Sequence, residues 1–153
     1  MRVRSIRNSC RQNLTNHTAY ISRLQQLRWY FRTYNPRRKS GDFRLYLLND
    51  VKNRPLAYGA LVLDGDNLLV TECVASEHRN KGIGTTVLDR LLQIGKNENR
   101  PLIADILATN AASIALHEKA GFSLVSAFEC DGRQLKRYMR RHDTAVNRIF
   151  RLA

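Results

Sequence analysis

The sequence predicts a mixed α/β layer fold built on one sheet. Three observations point to it. Two β-type runs, residues 68–75 and 102–108, each pass straight into a helix-type run, 85–97 and 111–120. A further pair of β-type runs, 122–130 and 134–139, flanks Asp131-Gly132, a strong hairpin signal. Two more runs lie upstream, so the order reads strand, helices, three strands, helix, strand, helix, two strands.

Each element has its own reason. Arg2, Val3, Arg4, Ser5 and Ile6 alternate charged or polar with apolar, the pattern of a short half-buried strand. Ser22-x-x-Gln25 is a capping box and sets a helix start. Tyr20, Leu24, Leu27, Phe31 and Tyr34 then recur as one helical apolar stripe, which Asn35-Pro36 is expected to end. Arg37-Arg38-Lys39-Ser40-Gly41 reads as an exposed loop, and residues 43–48 and 56–63 as strands. Asp64-Gly65-Asp66-Asn67 is a tight turn into the strand at 68–75. After Gly82 comes a helix with Val87, Leu88, Leu91 and Ile94 inward, and Gly121 ends the helix of 111–120. Val146, Ile149, Phe150 and Leu152 could dock as a short final helix.

At 153 residues the chain is expected to form one domain over 1–153. It has no run of eighteen apolar residues, so no transmembrane span, and its Arg-rich start lacks the apolar stretch of a secretory signal. Cys10, Cys73 and Cys130, an odd number with no close pair, fit free thiols in a reducing compartment. These features predict a soluble, cytoplasmic, basic protein. Its net charge of +13 is concentrated at the two ends. Residues 1–42 hold ten Lys/Arg against one Asp, and residues 131–153 seven against two, while the middle is near neutral. The basic ends suit RNA, an acidic protein or a phosphorylated small molecule; a solvated surface that keeps the chain soluble is the ordinary alternative.

The stretch Arg79-Asn80-Lys81-Gly82-Ile83-Gly84 is the most informative in the chain. A strand that turns through two glycines into a helix leaves several N–H groups unpaired and pointing one way. Those groups, the positive helix end and the flanking Arg79 and Lys81 make a socket for phosphate. Glycine is expected at 82 and 84 because a Cβ there would hold the backbone away from the anion. A second segment, residues 110–122, opens another strand-to-helix junction, where Asn110 and Ser113 suit a helix start.

Taken together the two segments resemble the GNAT superfamily of acetyl-coenzyme A-dependent N-acetyltransferases, over residues 68–122. In that family R/Q-x-x-G-x-G/A binds the coenzyme A pyrophosphate and N-x-x-A/S…L-Y-E-x-x-G-F lines the pantetheine arm and leaving thiol. The resemblance implies a three-layer α/β/α fold whose mixed sheet splays apart between 68–75 and 102–108, with acetyl-CoA as co-substrate in the gap. It implies cofactor contacts at Val74, Ala75, Arg79, Asn80, Lys81, Gly82, Ile83, Gly84, Thr85, Asn110 and Ser113. Backbone N–H groups near Val74 and Ala75 would polarise the thioester carbonyl.

Acetylation requires a neutral amine, a stabilised oxyanion and a protonated leaving thiol. The family's thiol-protonating Tyr falls at His117, whose imidazole can donate a proton near neutral pH; the alternative is that it only packs near the thiol. Asp105 and Glu72 are equal candidates for the base, and either could instead be paired with an arginine. Cys73, inside a β-rich run, reads as a packed hydrophobe rather than a nucleophile. His17, His78 and His142 show no metal-ligand spacing, so no metal is expected. The acceptor lies outside the matched region. Trp29 and Tyr30 sit off the apolar stripe and could face its cleft or widen the core face. Residues 6–8, 21–22 and 26–30 are similar to GNATs that acetylate nucleotide-linked amino sugars, and a pyrophosphate there would give the arginines a direct use. Protein amines, aminoacyl-tRNA and a non-catalytic acyl-CoA or nucleic-acid module are the alternatives. The expected partners are thus a small-molecule or protein amine, with RNA or another polyanion open and no membrane; the chain would be a monomer or homodimer.

Overall fold

A computed structural model describes residues 2–15 and 19–141. The strands are β1 (Phe43–Asn49), β2 (Pro55–Asp64), β3 (Asn67–Val74), β4 (Leu102–Leu107), β5 (Ser123–Cys130) and β6 (Arg133–Arg140). They form one sheet in the order β1-β2-β3-β4-β6-β5. All neighbours are antiparallel except β3 and β4. The helices are α1 (Arg2–Cys10), α2 (Arg23–Trp29), α3 (Asn35–Lys39), α4 (Ile83–Lys96) and α5 (Ala111–Lys119).

Strand alternation assigns the two faces of the sheet. On one face Ile6 and Cys10 of α1 pack with Tyr58, Cys73 and Ala75. On the other, Val87, Leu88, Leu91 and Leu92 of α4 pack on Leu61, Val70, Ala104 and Ile106. Full burial of a side chain such as Leu88 contributes roughly 1.5–3 kcal/mol, so α4 is held chiefly by this stripe. The helix also lies unusually close to the sheet. A Cβ on Gly59 would stand 2.8 Å from both Val87 Cγ1 and Leu91 Cδ1, and one on Gly95 would stand 2.9 Å from Leu102 Cδ2.

The mixed α/β sheet with helices on both faces is as expected, and so are the strands from β1 onward and the capping box of Ser22 and Gln25. Asp131 and Gly132 both have positive φ, 51° and 70°, as a tight hairpin with right-handed twist requires.

Three expectations are corrected. Residues 2–6 form helix, not strand: Val3, Ile6 and Cys10 fall on one helical face, and five residues of alternation were too short to reveal that period. Asn35-Pro36 does not end the second helix. A π-helical turn, Tyr30–Tyr34, puts Asn35 N–H on Tyr30 O, and Pro36 then occupies the first turn of α3, where no N–H is needed. Arg37, Arg38 and Lys39 are accordingly helical rather than a loop. The expectation for Val146, Ile149, Phe150 and Leu152 lies outside the described residues.

β3 and β4 pair only at Leu68–Leu102 and Leu69–Ile103. Beyond that point β3 stays on β2 through Val74, and β4 stays on β6 through Leu107. The sheet therefore opens as a wedge at its centre.

Candidate active site

The wedge exposes the backbone edge of β3. Leu68 N–H donates to Pro101 O, which shows that even-numbered residues of β3 turn their N–H groups toward β4. The same alternation aims Val74 N–H into the wedge. Ala75 N–H is not available there, because it donates to Leu56 O at 2.9 Å. Of the two expected carbonyl donors, the geometry thus leaves Val74. Its own carbonyl accepts from Cys10 Sγ at 2.9 Å, tying α1 to the rim of the opening.

Glu72 points to the α4/α5 face, with its side chain 12% exposed. Its Oε2 lies 3.6 Å from Nε2 of His117, which is almost fully buried on α5. His117 Nδ1 is 2.9 Å from Ser113 O; a carbonyl only accepts, so that nitrogen carries the hydrogen. Nε2 has no hydrogen-bond partner and faces the Glu72 carboxyl. Burial pushes the Glu72 carboxyl above its ordinary range, against the opposing pull of His117, the Ser113 hydroxyl and its own N–H. Burial thus favours the protonated carboxyl of Glu72, which faces the unpartnered Nε2. The His117 ring reaches Glu72 and meets Phe122 edge-on at 5.1 Å. Asn110 caps α5 by accepting Ser113 N–H at 3.2 Å.

Asp105 sits on the other face of the sheet, opposite Arg137 in register, and accepts from its Nε and Nη2 at 2.7 Å each. Of its two readings, the arginine pairing is the one the geometry realises.

Beside the wedge, the start of α4 forms a cradle. Asn80 and Gly82 take left-handed φ of 59° and 74°, and Arg79, Asn80, Lys81 and Gly82 are exposed. The first backbone bond of the helix is Thr86 N–H to Gly82 O, so the N–H groups of Ile83, Gly84 and Thr85 have no acceptor within it. Nothing lies within 4 Å of where a Gly82 Cβ would stand. A Cβ on Gly84 would meet Leu116 at 3.4 Å and Val74 at 3.8 Å, ordinary contacts with the site wall.

A cleft of about 420 Å³ opens between α1, residues 19–21, α2 and the π-helical turn. Arg7, Arg28, Arg32, Gln25, Gln26, Tyr20 and Trp29 line it. Asn8 fixes its floor by bonding both the N–H and the carbonyl of Ile21. Trp29 is held by stacking on Tyr34 at 5.4 Å. Among the described residues no group of three or more His, Cys, Asp or Glu could hold a metal; His17 and His142 lie outside them.

Sequence reasoning gave an arginine as one possible partner of Asp105 but not Arg137 itself, and it missed the coupling of Ser113 to Glu72. Ser113 and His117 are four apart on one helix, a readable spacing; that Glu72 faces them depends on how α5 crosses the wedge.

A sheet split between parallel strands, with a glycine-started helix at its mouth, is an acyl-CoA acetyltransferase arrangement. The acetyltransferase (GNAT) family model matches residues 3–122, and the chain belongs to that family. It is 38% identical over 66 residues to an N-acetyltransferase of Bacillus subtilis, YobR, described there as uncharacterized. That match spans 42% of this chain and 27% of the relative's length. The ribosomal-protein-alanine N-acetyltransferase of Brucella melitensis has the same fold, with a TM-score of 0.74 and 24% identity over 90% of this chain and 91% of that one. So does the spermidine N-acetyltransferase of Vibrio cholerae, solved with CoA and spermine: TM-score 0.74, 18% identity, 91% and 85% covered.

Proposed function

We propose that the protein transfers the acetyl group of acetyl-CoA directly to a primary amine, with residues 68–122 as the cofactor-binding core of a single 1–153 unit. The wedge beside Val74, with the unpaired N–H groups of α4 at its mouth, carries this reading. Val74 N–H, aimed into the wedge, suits polarising a thioester carbonyl. Ile83, Gly84 and Thr85 N–H, with Arg79, Asn80, Lys81 and Gly82, suit the pyrophosphate. Asn110 and Ser113 flank the path of the pantetheine arm. Acetyl-CoA supplies the activated acyl group. The amine nitrogen attacks its carbonyl carbon, the C–S bond breaks, and the amine proton passes to Glu72. His117 holds the adjoining position, so the pair keeps a proton for return to the departing thiolate. The chemistry needs no metal, and a cytoplasmic setting belongs to the same proposal.

For the acceptor, the cleft of Arg7, Arg28, Arg32, Trp29 and Tyr20 favours an amine carried on an anionic, planar-ringed molecule: a nucleotide-linked amino sugar. Guanidinium groups pair with a diphosphate, and the rings stack on a base. The fold itself does not choose the acceptor, since neighbours with this fold include a ribosomal-protein-alanine and a spermidine N-acetyltransferase.

The test is thermal stability with millimolar acetyl-CoA, with CoA and ATP as controls, followed by turnover on nucleotide amino sugars, spermine and alanyl peptides. A ligand at about 100 times its Kd adds about 2.7 kcal/mol. A shift given by CoA species and not by ATP supports the cofactor, and turnover confined to nucleotide sugars supports the acceptor. An equal shift with ATP removes the CoA assignment, and turnover only on peptides or spermine removes the nucleotide-sugar assignment.

A further inference from the structure

The apolar stripe of α2 is turned outward. Leu24 is 68% exposed, Leu27 44% and Phe31 63%, and Tyr30, off the stripe, is 38% exposed. No residue of α2, the π-helical turn or α3 is buried. α2 runs on through the π-helical turn into α3, and in folded proteins helical stability comes mainly from packing an apolar face. Here that face has no cover among the described residues. An exposed cluster of large apolar side chains at helical spacing marks an interaction surface.

The charges around it say what it meets. Residues 23–39 contain five arginines and one lysine and no acidic residue. Among the described residues no carboxylate forms an ion pair with Arg23, Arg28, Arg32, Arg38 or Lys39. A second copy of the chain would oppose six cations with six more. A nucleic-acid backbone would use the guanidinium groups but leave the aliphatic leucines without a role. An anionic lipid surface uses both at once: acyl chains receive Leu24, Leu27 and Phe31, and headgroup phosphates pair with cations whose stems lie along the boundary.

We propose that α2 and the turn that follows dock the protein on an anionic membrane surface, in the plane of the headgroups and without crossing it. No helix among the described residues is long and apolar enough to cross a membrane. The apolar side of the surface stands apart from the acyl-transfer reading: Leu24, Leu27 and Phe31 do not line the arginine cleft, whereas Arg28 and Arg32 border both. It also replaces the expectation of no membrane partner, which rested on the absence of a spanning segment.

The test is co-sedimentation of the full chain with phosphatidylcholine vesicles and with vesicles containing phosphatidylglycerol. Binding is expected to the anionic vesicles only, weakening as salt rises. L24E/F31E and R23E/R38E are each expected to lose at least tenfold in vesicle affinity. Both variants should keep the parent's melting temperature and acetyl-CoA shift, because all four side chains are exposed and outside the proposed site. Failure to pellet with anionic vesicles overturns the proposal. So does undiminished binding by L24E/F31E, a tRNA complex formed in place of vesicle binding, or a dimer in solution that L24E/F31E disperses. The acetyl-CoA shift is read independently, so loss of either reading leaves the other standing.

Discussion

Glu72 on β3 and His117 on α5 face each other at 3.6 Å, with the far nitrogen of the imidazole held by the Ser113 carbonyl. Burial raises the pKa of the Glu72 carboxyl, while His117 and the Ser113 hydroxyl pull it the other way.

The buried carboxyl should reveal itself in stability as well as rate. Burial raises the folded pKa of Glu72 above the ordinary 4.5. Below the ordinary value both states carry the proton. Through the window above it the native state holds more protons, so stability falls as pH rises and the deficit persists at higher pH. Glu72→Gln is therefore expected to melt above the parent at about pH 8 and level with it near about pH 4. Its kcat should fall on the order of 10²- to 10⁴-fold. A parent-like kcat would take Glu72 out of proton transfer.

His117→Asn removes the charge that pulls the Glu72 carboxyl down. The acid limb of the kcat/KM profile should then move to higher pH, while the acetyl-CoA thermal shift stays. The pH profile is the deciding measurement, since a merely structural role for the imidazole would lower stability without moving that limb.

The two glycines of the cradle should behave differently. Gly82→Ala forces a side chain into φ of 74° and should cost roughly 1–2 kcal/mol, besides weakening CoA binding. Gly84→Ala meets only ordinary contacts and should stay within about 0.5 kcal/mol of the parent. Urea unfolding and CoA titration separate the two; equal losses would mean that backbone conformation is not what selects glycine at 82.

Asp105→Asn should lose about 1 kcal/mol of stability through its half-exposed pair with Arg137. Its kcat/KM should stay within about threefold of the parent. A hundredfold fall would restore Asp105 as the base.

Much of this was legible in the chain because it is local. The 68–122 segment states its strand-to-helix junctions through Gly82 and Asn110, whose local demands are independent of the rest. Asp131-Gly132 states its hairpin in the same way. Residues 2–6 misled because charged–apolar alternation over five positions fits two periods. Pro36 misled because a π-helical turn just before it makes room for a ring that would otherwise end the helix. The direction of the α2 stripe was illegible for a different reason: periodicity gives a face, and only the neighbours decide whether anything lies against it. Glu72 and His117, 45 positions apart, meet only because the sheet divides after two paired residues.

Gly59 and Gly95 have no part in the chemistry, yet they fix a length. With no side chains intervening, Val87 and Leu91 rest on the backbone of β2, and Gly95 receives Leu102 from β4. α4 is thereby pressed to its closest approach against both halves of the divided sheet. Its first turn and the Val74 edge belong to one gauge block, whose thickness is set by two missing methyl groups. A pyrophosphate and a thioester within one molecule are separated by a fixed span of covalent bonds. On the proposed placement of acetyl-CoA, the gauge for that span is cut at residues touching neither end.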